Sequence, residues 1–185
     1  MAKDLGREIG AVAGKVSANI EKVIVGKKLQ VTLALVAYLA EGHILLEDVP
    51  GVAKTMLARA LARSVGCVFK RVQCTPDLLP TDITGDTALG HRLEQRRVTV
   101  DGQTYNLKPP FLVIATQNPI DQEGTFPLPE AQLDRFLMRL SMGYPSMEDE
   151  ERLLGRLQKS HPIDEIQPVV SAAEWQAAQE ATRDI

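Results

Sequence analysis

The residues best placed to do chemistry are Lys54 and Thr55, which close the stretch Glu47-Asp48-Val49-Pro50-Gly51-Val52-Ala53-Lys54-Thr55. An ammonium next to a hydroxyl, behind a tight loop and at the start of a helix, suits a polyphosphate and its magnesium ion. In such a loop the backbone N–H groups and the helix N-terminus face the phosphates. The Lys reaches the β- and γ-phosphates and the Thr hydroxyl holds Mg²⁺. The expected nucleotide-binding residues are Asp48, Val49, Pro50, Gly51, Val52, Ala53, Lys54, Thr55 and Met56. The regular form of the loop is G-x-x-x-x-G-K-[ST], and Asp48 and Ala53 stand at its two glycine positions. Asp tolerates left-handed backbone better than most residues, so Asp48 is expected to hold the turn that way. Ala53 adds only a methyl group, a mild obstacle to close phosphate approach. The plainer alternative is an ordinary strand-to-helix turn with a lysine in the first turn of its helix.

A loop of this kind needs a strand before it and a helix after it. His43-Ile44-Leu45-Leu46 is a short apolar run that reads as a buried strand over 43–47, and the alanine-rich 56–63 reads as a helix that continues to Val65 and stops at Gly66. Upstream, Ile9, Val12, Val16, Ile20 and Val23 recur at three- and four-residue spacing, predicting a helix over 7–22; a second is predicted over 29–40, closed by Gly42. Downstream, 67–74 alternates like a strand, 75–82 is a loop with two prolines, and 88–96 is a short helix. Val98-Thr99-Val100, Asp101-Gly102 and Gln103-Thr104-Tyr105 form a hairpin signal. The continuous run Phe111-Leu112-Val113-Ile114-Ala115-Thr116 predicts a central strand covered on both faces. It ends in Gln117-Asn118-Pro119. A loop over 121–129, a helix over 130–136 and a strand over 137–142 follow, and amphipathic helices over 147–159 and 171–182 close the chain. Strands alternating with helices around a phosphate loop give an α/β class, a three-layer αβα sandwich on a parallel sheet.

Composition permits this and narrows the rest. Apolar residues at 44% support an ordinary core, and aromatics at 4% leave that core to Leu, Val, Ile and Ala. A net charge of −3, with no run of Lys or Arg longer than two, argues against a nucleic-acid surface. Cys67 and Cys74 lack metal-ligand spacing, and His43, His91 and His161 are scattered, so two buried thiols are the expectation rather than a metal centre. The apolar run 31–40 is about half the ~20 residues of a membrane span. Residues 1–8 carry acids where a signal peptide would be apolar. No membrane insertion and a cytoplasmic location are expected.

At this point the chain resembles the MoxR-family AAA+ ATPases. The resemblance rests on Val23-Ile24-Val25-Gly26, the loop with Lys54-Thr55, and Thr75-Pro76-Asp77-Leu78-Leu79-Pro80-Thr81-Asp82-Ile83-Thr84-Gly85. It continues through Arg97-Val98-Thr99-Val100-Asp101-Gly102, Ala115-Thr116-Gln117-Asn118-Pro119, and the stretch from Glu123 to Phe136 that contains Leu133-Asp134-Arg135-Phe136. It implies ATP and Mg²⁺ as cofactors, with Lys54 on the β/γ-phosphates and Thr55 on the metal. It makes Asn118 the sensor residue that orients the attacking water. Arg135 becomes the arginine finger reaching into a neighbouring subunit, hence a self-associated ring, usually of six. By the same resemblance the work is ATP-driven maturation or remodelling of a client protein, often beside a von Willebrand A-domain protein. The plain alternatives are a loop-capping Asn118 and a solvated Arg135. The implied organisation is a nucleotide-binding core over 1–145 and, over 146–185, a helical segment leading into a lid domain of which only the start is present.

The resemblance also has a gap. In the family, a further strand ending in an Asp-Glu pair, the Walker B motif, lies between the Ile83-Thr84-Gly85 stretch and the helix before Val98. Here Gly85-Asp86-Thr87-Ala88-Leu89 joins the two sides directly, so an internal deletion falls near 85–86. The Mg²⁺-supporting Asp and the water-activating Glu have no counterpart, and Asp82 and Asp86 read as turn formers. Without that strand, 67–74 is expected to pair with 111–116 or leave an open edge. Beside the ATPase reading stands a nucleotide-binding, non-hydrolysing subunit of a mixed ring, or an inactive deletion variant.

Overall fold

The computed structural model describes residues 2–49, 51–71, 97–100, 103–117, 130–157 and 162–184. Its centre is β1 (His43–Glu47), flanked in parallel by β4 (Ile114–Gln117) and β5 (Phe136–Leu140) in the order β4-β1-β5. Ile44 and Leu46 point into the main core, and Leu45 on the opposite face is only 1% exposed. A strand buried on both faces has no polar face to show, hence the continuous apolar run. Because all three strands run the same way, their C-terminal ends share one edge, and the loop after β1 opens there.

Four of the described helices build the core beside this sheet. Helices α1 (Ala2–Ile20), α2 (Lys28–Leu39) and α3 (Lys54–Ser64) pack together, with α2 also on β1 and β5. Val16, Ile20, Val31, Leu35, Leu57 and Leu61 supply fully or almost fully buried side chains to one cluster. Helix α3 ends in a Schellman turn: Gly66 takes φ +66°, its N–H donates to the Arg63 carbonyl, and the Cys67 N–H donates to Ala62. Helix α7 (Ala172–Thr182), opened by a Ser171/Glu174 capping box, lies on α1 and α2. Its Trp175 is fully buried with its ring 4.9 Å from Tyr38, and Gln179 donates to the Tyr38 carbonyl at 2.5 Å. Burial, and then the neighbouring Cys67 thiol, push the Tyr38 hydroxyl's pKa up. The amide of Asn19, 2% exposed, donates to the Ser64 hydroxyl and to the Gln167 carbonyl, which joins α1, α3 and the approach to α7.

The hairpin forms as read: β2 (Arg97–Val100) and β3 (Gln103–Asn106) are antiparallel, with Val100 opposite Gln103. Other boundaries move. Helix α1 runs over Ala2–Ile20 rather than 7–22, because 21–24 turn inward to bury Val23 and Ile24. The predicted strand at 67–74 is absent from its described part, 67–71. Val68 there is 81% exposed and Cys67 half-buried, and alternation without a pairing partner among the described residues made no strand. The direct pairing expected between 67–74 and 111–116 is likewise absent from those residues, and the strand at 114–117 pairs with β1 instead. That strand is shorter than predicted, half-buried, and at the edge of the described sheet rather than its centre. The helix expected over 130–136 is one turn, α4 (Glu130–Leu133), and Phe136 already opens β5. Helix α5 (Met147–Leu157) stands where 147–159 was expected, and a one-turn α6 (Pro162–Glu165) was not foreseen. The loops at 75–82 and 121–129, the helix at 88–96 and Cys74 lie outside the described residues. Among the described residues no helix is long and apolar enough to cross a membrane.

Candidate phosphate-binding site

The loop leaves β1 under firm control. Glu47 is in register with Gln117 at the end of β4, and the Asp48 N–H donates to the Gln117 carbonyl at 3.2 Å. The chain then turns left-handed twice, at Gly51 (φ +87°) and at Ala53 (φ +61°, ψ +17°). A Cβ on Gly51 would meet nothing within 4 Å among the described residues, so the chain is open at that turn. Ala53 is the N-cap of α3 and offers no side-chain hydrogen bond to its first turn. Among the described residues no side-chain cap competes there with an anion.

The expectation that Asp48 holds a left-handed turn is therefore corrected. The left-handed residue is Ala53, at the second glycine position, where an L-side chain costs about 1–2 kcal/mol. Asp48 has ordinary backbone and uses its side chain instead, as a buried carboxylate. One oxygen accepts from the Ser141 hydroxyl at 2.8 Å and the Gly143 N–H at 2.6 Å, and the other from the Val49 N–H at 2.9 Å. Burial pushes this carboxyl's pKa up, but the donors on Gly143, Ser141, Val49 and Met142 outweigh it and hold it below the usual range.

The Lys54 ammonium donates to the Asp48 and Val49 carbonyls, the second at 3.2 Å. Both partners are neutral, so a phosphate would be a stronger acceptor for the same charge. Thr55 is exposed beside it, Val52 is 6% exposed and plugs the loop into the core, and Met56 is half-buried against that core. Pro50 lies outside the described residues. A depression of about 200 Å³ lined by Arg59, Arg63 and Cys67 lies farther along α3 and shares no residue with this loop.

The two remaining expected site residues fall differently. Asn118 is outside the described residues; Gln117, just before it, lies beside the loop and has a buried side-chain oxygen with no hydrogen-bond partner among the described residues. Arg135 immediately precedes β5, whose first residue is in register with His43. It therefore sits at the opposite edge of the sheet from the loop, about 16 Å away along a five-residue strand. The loop and Arg135 are not brought together within one chain. Sequence reasoning missed Ser141, Met142 and Gly143 as partners of the loop. The signal was available in principle, since parallel neighbours end at one edge and a small Ser and Gly follow β5 there.

These residues fit a magnesium-bound nucleotide: an uncapped helix N-terminus, an open loop turned by Gly51, a lysine on exchangeable carbonyls and an exposed threonine hydroxyl. Comparison with known proteins agrees. The sequence matches the model of the ATPase family associated with various cellular activities (AAA) in two pieces, residues 43–92 and 86–138. It is 45% identical over 203 residues to YeaC of Bacillus subtilis, covering 91% of this chain and 63% of YeaC. It is 41% identical over 179 residues to chaperone MoxR1 of Mycobacterium tuberculosis, covering 78% of this chain and 48% of MoxR1. A crystal structure of a Cytophaga hutchinsonii protein described as an ATPase superposes with a TM-score of 0.74 at 32% identity, covering 96% of this chain and 66% of that one. The chain thus spans between about half and two thirds of the length of these relatives. The match to YeaC is longer than this 185-residue chain, so YeaC has residues inside the matched region that this chain lacks. The two pieces of the family match overlap at residues 86–92.

Proposed function

The chain belongs to the AAA family of ATPases, on its MoxR branch, and from that premise we propose that it binds ATP with Mg²⁺ at residues 48–56 and serves as a MoxR-type chaperone on client proteins. The observation that carries this reading is the convergence of the Lys54 ammonium, the Thr55 hydroxyl and the uncapped start of α3 at the C-terminal edge of a parallel sheet. In the proposed complex Lys54 exchanges its loop carbonyls for β/γ-phosphate oxygens, the first-turn N–H groups of α3 receive the anion, and Thr55 holds the metal. Bound magnesium supplies charge neutralisation across the phosphates. Asn118, following Gln117 out of β4, orients the attacking water.

Arg135 cannot serve its own loop from the far end of β5. We assign it to a neighbouring copy, where a donated guanidinium is worth about 10³–10⁵ in rate. That role calls for a ring, with six subunits as the family's usual number, and a von Willebrand A-domain protein is the accompanying partner that the family suggests. A cytoplasmic setting fits a reaction fed by ATP. Asp48 does not replace the missing general base, because its oxygens are taken by Ser141, Gly143 and Val49. We therefore propose turnover about 10²–10⁴-fold slower than that of a relative with the acidic pair. In a mixed ring Arg135 would still complete a neighbour's site.

Equilibrium binding of Mg·ATP to the purified chain, with Lys54→Ala beside it, tests the site. Saturable binding lost in the variant is the expected result. Equal affinity in the two proteins would remove Lys54, and with it the loop, from the assignment.

A further inference from the structure

Deepening that reading and resting on it, we propose that Asp48 is a positioning residue whose carboxylate latches the phosphate loop to residues 141–146, so that occupancy of the loop and the seat of α5 are coupled. In the regular loop pattern this position has no side chain. Here it carries a buried carboxylate that accepts from the Ser141 hydroxyl, the Gly143 N–H and the Val49 N–H, two of these three partners lying more than 90 residues away. A staple internal to the loop would need only the Val49 contact.

The stretch that Asp48 holds is also held from the other side. The Lys27 ammonium donates to the Tyr144 carbonyl at 2.7 Å, and the Gln30 amide donates to Ser141 at 3.3 Å, both from the start of α2. Gly143 takes φ +62°, which sends the chain away from β5 and toward α5. There Ser146 caps the helix, its hydroxyl accepting from the Asp149 N–H and donating to the Asp149 carboxylate. That carboxylate lies against Gly26, where a Cβ would stand only 2.0 Å from it. Residues 141–149 thus form a short strut, gripped by Asp48 at one end and seated on Gly26 at the other.

The same residue faces the ligand side as well. Lys54 donates to the Asp48 backbone carbonyl. When Lys54 turns to a phosphate it gives up that carbonyl, so the residue that holds the strut also loses or regains a partner as the site fills. The lowered pKa of the carboxyl agrees with a latch held as the anion.

The test uses the full chain, a fluorescent Mg·ATP analogue, and amide hydrogen exchange at Gly143. Asp48→Asn is expected to weaken binding about tenfold, the order of one hydrogen bond to a charged group. Ser141→Ala, a change at an exposed residue that keeps the fold in hand, should weaken it a few-fold. The double variant should fall well short of the product of the two losses, since both cut one contact. In the parent chain nucleotide should slow exchange at Gly143; Asp48→Asn should abolish that response while still binding, and Asp48→Glu should restore part of it. Unchanged affinity in Asp48→Asn and Ser141→Ala, or exchange at Gly143 indifferent to nucleotide in the parent chain, would overturn the latch and leave the phosphate site standing. No binding by the parent chain would defeat the site and the latch together.

Discussion

Ala53 offers a test whose sign, not only its size, discriminates. At φ +61° its methyl group lies in left-handed space, which costs an L-residue about 1–2 kcal/mol. Ala53→Gly removes that cost but frees the unfolded chain, returning about 0.4–1 kcal/mol. The net expectation is a gain of roughly 0–1.5 kcal/mol, or a few degrees in Tm for a chain of this size. Ala53→Val should move the other way, since a β-branched side chain at positive φ is a genuine outlier. Urea unfolding of the three proteins, compared at equal m so that only the midpoint reports stability, should give the order Gly, Ala, Val. Position 53 immediately precedes α3, and in a right-handed helical conformation glycine would instead cost about 0.5–1 kcal/mol against alanine. A loss of that size in Ala53→Gly would refute the left-handed assignment and the loop geometry built on it.

Other expectations follow from single side chains. Trp175→Ala should lose roughly 3–5 kcal/mol in urea unfolding, whereas Trp175→Phe should lose far less, because it also removes a buried indole N–H with no partner among the described residues. Burial holds the His43 pKa below its ordinary value. A depressed base favours folding above its unfolded pKa, so stability should decline as pH falls below about 6.5 and level off only at the lower folded value; in His43→Phe that part of the pH dependence should vanish. Thr55→Ala should erase the gain in ATP affinity on adding Mg²⁺ while leaving metal-free binding in place, as calorimetric titration with and without the ion would show.

Where a local pattern had a local cause, the sequence was readable. The run His43 to Leu46 is a strand because both its faces are covered, and Gly66 stops α3 because a Schellman turn needs positive φ there. The hairpin follows from two short β-rich runs separated by two residues. Readings failed where the deciding partner was remote. Residues 67–71 alternate like a strand but pair with no strand among the described residues, and Val68 faces solvent. The task of Asp48 depends on Ser141 and Gly143, which only the parallel pairing of β1 and β5 brings near. Positive φ at Ala53 was hidden for another reason: the residue type disfavours it, and the surrounding fold imposes it.

Asn19 reaches Gln167 across 148 residues of chain, and α7 lies on α1. At about 5–20 residues per second of synthesis, roughly 7–30 s separate the emergence of the two partners. Helices α2 and α3 arrive early and can shield part of α1. The face reserved for α7 stays uncovered through that interval, with apolar surface open to the crowded exit of the ribosome. The newborn chain is thus exposed to aggregation, and in need of a holding chaperone, while it waits for α7.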